Sequence, residues 1–406
     1  MHPKNRYNRG NSTKTRQKYD IFPSSFQIST HFVGNHTQFI RKFVPVFTTL
    51  ACFPITHHDT FPVQVWTYLL PLGIAAEKPY TRTCKRRDDV VGNKNHNGKD
   101  MEKFDVHILG CGSALPTMRH QMTSQVVNLR EKLFMVDCAE GTQLQMRRHN
   151  LSFSRLGNIF ISHLHGDHCL GLIGLISTFS LLGRVAPLHI FSPGNDLERL
   201  MQPQLEFFCR GISFDVIFHA FSAQSSEIIY DDRTVTVRTL PLRHRIPCCG
   251  FLFTEKATLP HIRREMIDFL KIPYYAINAI KGGEGWTDNN GRLWAHEELV
   301  FPAAPPRSYA YCSDTMPAER NIPLLKDVNL LFHEATFPEE AAVRARETGH
   351  STARQAAEMA LKSHAKKLII GHFSSRYPDE TPLLNEASAV FPHVVLAKEG
   401  LKIEVF

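Results

Sequence analysis

The run His163-Leu164-His165-Gly166-Asp167-His168 sits between two apolar segments, in "NIFISHLHGDHCLGLIGL" (158–175). No other stretch constrains the fold as strongly. Three imidazoles and a carboxylate held between buried segments are costly to desolvate unless something binds them. Imidazole and carboxylate together suit zinc or another first-row metal. The run falls where a strand pattern ends and a helix pattern begins, which is where α/β folds place ligands. Histidines two apart in an extended loop face one side. Four donors from one segment exceed what a single tetrahedral catalytic site takes, and two adjacent metals sharing the segment are the natural extension.

A two-metal site needs more ligands, also at strand ends. "PLRHRIPCCGF" supplies His244, "YAYCSDT" supplies Asp314, and "LIIGHFSSRY" supplies His372. Singly, each is more often a cap or turn residue. Their shared position, polar at the exit of an apolar run, raises all three together.

Strand and helix patterns alternate from Phe104 onward. "FDVHILG" (104–110) reads as a strand, and "SQVVNLREKLFMVDC" (124–138) as a hairpin turning near Arg130–Glu131. "GNIFIS" (157–162) and "PLHIFSP" (187–193) read as strands, with "CLGLIGLISTFSLLG" (169–183) as one buried helix between them. "NDLERLMQPQLEFF" (195–208) reads as an N-capped helix interrupted at Pro203. The pattern weakens over about 255–307 and resumes with strands at 308–314, 328–335 and 366–372. Thr352 with Gln355 three residues on is a capping-box pattern, which predicts a helix over 352–363. The chain therefore reads as an α/β domain with many strands, both sheet faces covered, and a mid-chain insertion.

Charge is uneven. Residues 1–100 hold 15 Lys/Arg and 6 Asp/Glu, whereas the other 306 residues hold 32 and 33. Net charge thus gives no support for nucleic-acid binding by the rest of the chain, although a local patch is compatible with it. The first hundred residues lack sustained periodicity and read as a poorly ordered basic extension, or as residues that precede the true translation start at Met101. Nine cysteines, odd in number and without a CxxC, fit reduced thiols in the cytoplasm. "VWTYLLPLGIAA" (65–76) is too short to span a membrane and contains Pro71, so no membrane span is expected.

With "HLHGDH" stand "GCGSALPTMRHQMTSQ", "VDCAEGTQLQMRR", "SDT", "HEATF", "GHST" and "GHFSSRY". On these motifs residues 104–406 resemble the metallo-β-lactamase superfamily and, within it, the ribonuclease Z family. "HEATF" and "HST" are far more specific to that family than the metal motif is. The resemblance implies an αββα four-layer sandwich with an extruded arm at about 255–307. It implies one zinc on His163, His165 and His244, another on Asp167, His168 and His372, and Asp314 bridging. Manganese or iron suits the same donors. Two such cations would lower the pKa of a water and stabilise charge on phosphoryl oxygens.

The same resemblance makes Asp167 a proton acceptor, His350 the proton donor to the leaving oxygen, and Glu334 the carboxylate that orients His350. Read locally, His350 stands beside a predicted helix N-terminus, a favourable place for phosphate. Without the family motifs, Glu334 would read as a surface ion-pair residue and His350 as a residue of no function. Arg376 is a candidate phosphate contact. The arm is expected to grip the tRNA elbow, with Lys281, Gly282, Gly283 and the "TDNNGR" turn (287–292) suiting a mobile hairpin-like arm and Tyr274 and Tyr275 packed at its base.

The implied activity is removal of the 3′ trailer from precursor tRNA by a cytoplasmic homodimer. Two other readings are weighed. A small-molecule phosphodiesterase or thioester/lactone hydrolase of the same fold would keep the metals but not need "HEATF" and "HST". A non-catalytic RNA-binding relative would have lost ligands, and none is missing.

Overall fold

The computed structural model of the protein describes residues 102–406. The basic extension at 1–100, the apolar segment at 65–76 and Met101 lie outside the described residues.

Fourteen strands form two large sheets. In chain order they are β1 (Phe104–Gly110), β2 (Ser124–Leu129), β3 (Lys132–Cys138), β4 (Leu156–Phe160), β5 (Leu188–Pro193), β6 (Val216–Phe221) and β7 (Ile228–Asp231). There follow β8 (Val235–Pro241), β9 (Cys249–Glu255), β10 (Ser308–Cys312), β11 (Leu330–Glu334), β12 (Leu368–Gly371), β13 (Val394–Leu396) and β14 (Lys402–Glu404). The first sheet runs β14-β1-β2-β3-β4-β5-β6 and the second β13-β12-β11-β10-β9-β8-β7. In the first sheet β14, β1, β2 and β3 pair antiparallel, and β3 to β6 pair parallel. The second has the same division, with β7 to β10 antiparallel and β10 to β13 parallel. The hairpin between β2 and β3 turns at Arg130 and Glu131, both at positive φ (50° and 68°), as a two-residue turn of right-twisting strands requires.

Alternation along the strands decides what each face meets. Phe104, Val106 and Ile108 of β1 point between the sheets with Val127, Phe134, Val136 and Phe160, and they meet Val237, Phe251, Phe253, Tyr309 and Tyr311 of the second sheet. Leu109, Val126, Met135 and Ile159 point the other way. The helices complete the layers: α1 (Thr142–Arg148), α2 (Gly166–Cys169), α3 (Leu172–Leu181), α4 (Asp196–Phe208), α5 (Ala342–Thr348), α6 (Ala353–Lys362) and α7 (Thr381–Ser388). Leu172, Leu175, Ile176, Leu197, Met201 and Leu205 of α3 and α4 cover the first sheet. Ala353, Ala356, Ala357 and Ala360 of α6 cover the second. The architecture is the expected αββα sandwich. Phe160 is fully buried at its centre, 4.7 Å from the Phe191 ring and 5.7 Å from Phe253. Phe160→Ala is expected to lower stability by about 3–5 kcal/mol, read from chemical denaturation midpoints.

Two expected helices differ from the reading. The run 169–183 is not one helix, because α2 ends at Cys169 and α3 starts at Leu172. Gly171 turns its N–H out of the helix to the Cys138 carbonyl (2.9 Å), so tightly that a Cβ there would lie 1.9 Å from the Ala139 carbonyl oxygen. Nor is α3 wholly buried: Leu181 and Leu182 are exposed. The helix at 195–208 is not interrupted, for α4 runs through Pro203. Leu197, Met201 and Leu205 share its buried face, while Pro203 lies on the exposed side, where water can take the freed carbonyl of Arg199.

Between β9 and β10 the chain leaves the sandwich. His261–Ile262 pairs with Val300–Phe301, and Trp286–Thr287 with Leu293–Trp294. A small separate core forms from Leu270, Ile272, Ala276, Ile280, Leu299 and Val300. At the root, Arg307 grips Glu255 with Nε to Oε2 (2.9 Å) and Nη2 to Oε1 (3.1 Å), and Arg130 adds two bonds to Oε1, from Nη2 (3.0 Å) and Nε (3.2 Å). Burial would raise the Glu255 carboxyl, but the two guanidiniums outweigh it and hold it below its ordinary range. Tyr274 and Tyr275 do not pack at the base; both are exposed, at 87% and 81%, on a short 3-10 turn. Lys281 and Gly282 close a helix (Ile277–Lys281), while the "TDNNGR" turn joins the paired Trp286–Thr287 and Leu293–Trp294.

Candidate metal centre and active site

The polar residues singled out in the sequence stand at the exits of neighbouring strands, on the edge where the two sheets meet. His163 and His165 follow β4, His244 follows β8, Asp314 follows β10, Glu334 ends β11 and His372 follows β12. Asp167 and His168 lie on α2.

Two donor clusters form around one carboxylate. His163 Nε2 and His244 Nε2 lie 3.0 and 3.3 Å from His165 Nδ1. They lie 3.6 and 3.9 Å from Asp314 Oδ2. On the other side, His168 Nε2 and His372 Nε2 lie 3.4 and 3.1 Å from Asp314 Oδ1, and 3.5 and 3.6 Å from Asp167 Oδ2. Asp314 thus shows one oxygen to each cluster.

The opposite ring nitrogens are already committed. His163 Nδ1 meets Ser162 Oγ (3.0 Å), His168 Nδ1 meets Asp137 Oδ2 (2.8 Å), His244 Nδ1 meets the Gly349 carbonyl (2.8 Å) and His372 Nδ1 meets Thr336 Oγ1 (2.9 Å). Such bonds fix ring orientation and leave Nε2 free to ligate. His168 Nε2 and His372 Nε2 are buried with no hydrogen-bond partner. Two orphaned imidazole nitrogens facing carboxylates are the arrangement a metal relieves. Seven residues, supplying four N and O donors to each of two sets, fit divalent first-row cations.

Charge states agree with this. Burial, aided by neighbouring histidines, lowers His163 well below its ordinary pKa, and burial lowers His165 and His244 too, so all three are neutral donors. Burial would lower His168, but Asp314 and Asp137 outweigh it and raise it, so a cation entering there must displace a proton. Burial would raise the Asp167 carboxyl, but His168 and His372 outweigh it and hold it far below the carboxylate range. Asp167 Oδ2 also accepts the Ala114 N–H at 2.8 Å.

His350 stands beside both clusters, 5.1 Å ring to ring from His244 and 5.4 Å from His372. Its Nδ1 donates to Glu334 Oε1 at 2.9 Å. Glu334 is fully buried and accepts four further bonds: the N–H groups of Thr315, Ser351 and Thr336 (3.0 Å each) and Thr336 Oγ1 (2.7 Å). It is no surface ion-pair residue. Burial would lower His350, but Glu334 outweighs it and pushes it up to about 9, so it holds a proton at neutral pH. Thr352 caps α6 in the expected box with Gln355. Gly349 ends α5 at φ 77°, a conformation that favours glycine, and brings its carbonyl to His244.

The pocket over the clusters measures about 420 Å³ and is lined by His165, Asp167, Asp314, His350, His372 and Arg245, among others. Arg376 is exposed and does not line it, and neither do Lys281 and Gly282 of the insertion. The sequence reading missed Arg245, which only its place beside His244 could have flagged. It also missed Asp137, buried and left-handed at φ 57°, which holds His168 and accepts from Ser162 (N–H 2.7 Å, Oγ 2.9 Å) and the Tyr311 hydroxyl (2.7 Å). Its signal was an acid inside an apolar strand. A further group, Cys111, His120 and Glu399, could by spacing hold a metal, but its donors satisfy one another. His120 bridges Glu399 (3.2 Å) and Glu380 (3.1 Å), anchoring the loop that carries Ala114 to Asp167. Among the described residues no helix is long and apolar enough to cross a membrane.

Comparison with known proteins places this geometry. A family model described as Anti-Pycsar protein Apyc1 matches residues 104–259. Ribonuclease Z of Bacteroides fragilis is 59% identical over 305 residues, 75% of this chain and 100% of that one. Ribonuclease Z of Porphyromonas gingivalis is 48% identical over the same shares. Among solved structures, human tRNase Z, short form, superposes with a TM-score of 0.55 at 26% identity, covering 74% of this chain and 99% of that one. The metallo-β-lactamase fold protein YhfI of Bacillus subtilis does so with 0.53 at 18%, covering 74% and 99%, and shares the fold. The chain is a metal-dependent endoribonuclease of the metallo-β-lactamase fold and belongs to the ribonuclease Z family.

Proposed function

We propose that the protein removes the 3′ trailer from precursor tRNA. It would cut after the discriminator base and leave a 3′-hydroxyl on the tRNA and a 5′-phosphate on the trailer. The observation that carries the reading is the pairing of a dinuclear donor set with a protonated histidine, His350, locked by the buried Glu334. Small-molecule hydrolysis of the same class does not call for that second device.

His163, His165 and His244 would hold one zinc, and Asp167, His168 and His372 the other, with Asp314 between them. When bound, the two cations supply Lewis acidity toward a water and the phosphoryl oxygens. Asp167, ionised and fixed by Ala114, orients the attacking water and receives its proton. The water oxygen bonds to phosphorus as the bond from phosphorus to the 3′-oxygen breaks. His350 gives that oxygen its proton, and Glu334 keeps the ring aimed and charged. Arg245 borders the same pocket and suits a phosphoryl oxygen. Arg376 and the insertion with Lys281 and Gly282 would contact RNA outside the pocket. The exposed Phe269, Tyr274 and Tyr275 supply stacking surface there.

A cytoplasmic homodimer completes the reading. The seven cysteines among the described residues are all free, which suits a reducing compartment. The decisive experiment incubates purified full-length protein with a trailer-bearing precursor tRNA and maps both product ends. Cleavage at the discriminator, abolished by chelator and by Asp167→Ala, is expected. An intact tRNA beside hydrolysis of a small phosphodiester would overturn the substrate assignment.

A further inference from the structure

A second cavity, of about 430 Å³, opens beside the first, and His350 is the one residue that lines both. Its walls carry three arginines from three separate elements: Arg243 before His244, Arg320 in a short 3-10 turn, and Arg346 in α5. All three are exposed. Among the described residues none is paired with a carboxylate. Arg243 reaches only the Pro317 carbonyl (3.3 Å) and Arg320 only the Pro241 carbonyl (3.4 Å). Arg346 has no side-chain partner among the described residues. The one acid in the wall, Glu319, is taken by Lys362 at 2.5 Å. Three uncompensated guanidiniums around one concavity repel one another and await an anion, and their planar donors match phosphate.

The place of the cavity assigns which phosphates. This step rests on the reading above, in which His350 protonates the leaving 3′-oxygen. That oxygen belongs to the nucleotide on the tRNA side of the cut, while the scissile phosphate stays with the trailer, over the metal ligands. The cavity that meets the centre only at His350 is therefore on the leaving-group side. We propose that Arg243, Arg320 and Arg346 form a subsite for the RNA backbone phosphates immediately 5′ of the scissile bond. The subsite reads charge and spacing, not base identity. It feeds the acceptor strand past His350 and sets the register of the cut.

The test uses full-length protein and precursor tRNAs carrying one neutral methylphosphonate (in a 2′-deoxy nucleotide, with a 2′-deoxy phosphate control). The neutral linkage is placed either at the first or second position 5′ of the cut, or at the first position within the trailer. Wild type is compared with Arg346→Gln and with Arg243→Gln/Arg346→Gln, and kcat/KM is read. Each lost charge-assisted contact is expected to lower kcat/KM by about tenfold or more, mainly through KM. The losses from the arginine variant and the 5′ methylphosphonate should not add, because both remove one contact. The slope of log KM against log salt should fall by about one per phosphate contact removed. Additive losses at the 5′ positions would overturn the proposal, as would non-additivity with the trailer linkage instead. A wild-type protein that leaves unmodified precursor tRNA uncut would overturn the functional reading itself, visibly and before any variant is made. The variants lie on the surface, and unchanged thermal transitions confirm that they fold.

Discussion

Asp314→Asn is expected to abolish RNA cleavage, lowering kcat by at least about 1000-fold, and, on the proposed two-ion reading, to lower bound metal toward none. The reason lies in how its two oxygens are shared. Oδ2 faces His163 and His244, whereas Oδ1 faces His168 and His372. One substitution therefore removes a charge from both clusters, whereas His165→Ala touches only one. The measurement is metal content by mass spectrometry beside activity. His165→Ala should retain about one ion, and Asp314→Asn retaining two would disprove the bridging role. Asp314 also lies within 3.9 Å of ring nitrogens of four surrounding histidines. In metal-free protein, burial would raise its carboxyl, but His372, His168 and His163 outweigh it and hold it well below the usual range.

The second large effect concerns His350. His350→Ala is expected to reduce kcat by about 10²–10⁴-fold at neutral pH, the range for loss of a positioned acid. The pH profile gives the more specific check. His350 must carry a proton to donate it, and Glu334 pushes it up to about 9. Wild-type activity should therefore persist through neutral pH and fall as pH rises through about 9. In Glu334→Gln the raising charge is gone while burial, which lowers the histidine, remains. The alkaline fall should then move down toward about 6.5 or below, the ordinary histidine range. A substrate with sulfur in place of the leaving 3′-oxygen needs no proton at departure. It should be cut by His350→Ala nearly as fast as by wild type. If the sulfur substrate is as slow as the oxygen one, His350 is not the proton donor.

Much of the centre was legible because metal ligation uses residue types that are expensive to bury for any other reason. His163, His165, Asp167 and His168 are adjacent in the chain, and His244, Asp314 and His372 each end an apolar run. Strand termination is a local property, so their arrival at one sheet edge followed from the alternation of strand and helix. The capping box at Thr352 and the turn at Arg130–Glu131 were local in the same way. The helix at 169–183 was misjudged because what breaks it is not local: the Cys138 carbonyl draws off the Gly171 N–H. The helix at 195–208 was misjudged because the burial of Leu197, Met201 and Leu205 outweighs the proline.

What the sequence by itself determined is the set of candidate donors, an α/β domain of many strands with both sheet faces covered, and the helix that starts beside His350. These rest on residue chemistry and on periods of 2 and 3.6, which need no partner to be read. Only the tertiary structure decided which nitrogen each histidine presents, since Asp137, Thr336, Ser162 and the Gly349 carbonyl each hold one Nδ1. It also turned Tyr274 and Tyr275 outward, and gathered Arg243, Arg320 and Arg346 around one cavity. Side-chain direction and hydrogen-bond partners follow from contacts between segments far apart in the chain, and no local pattern encodes them.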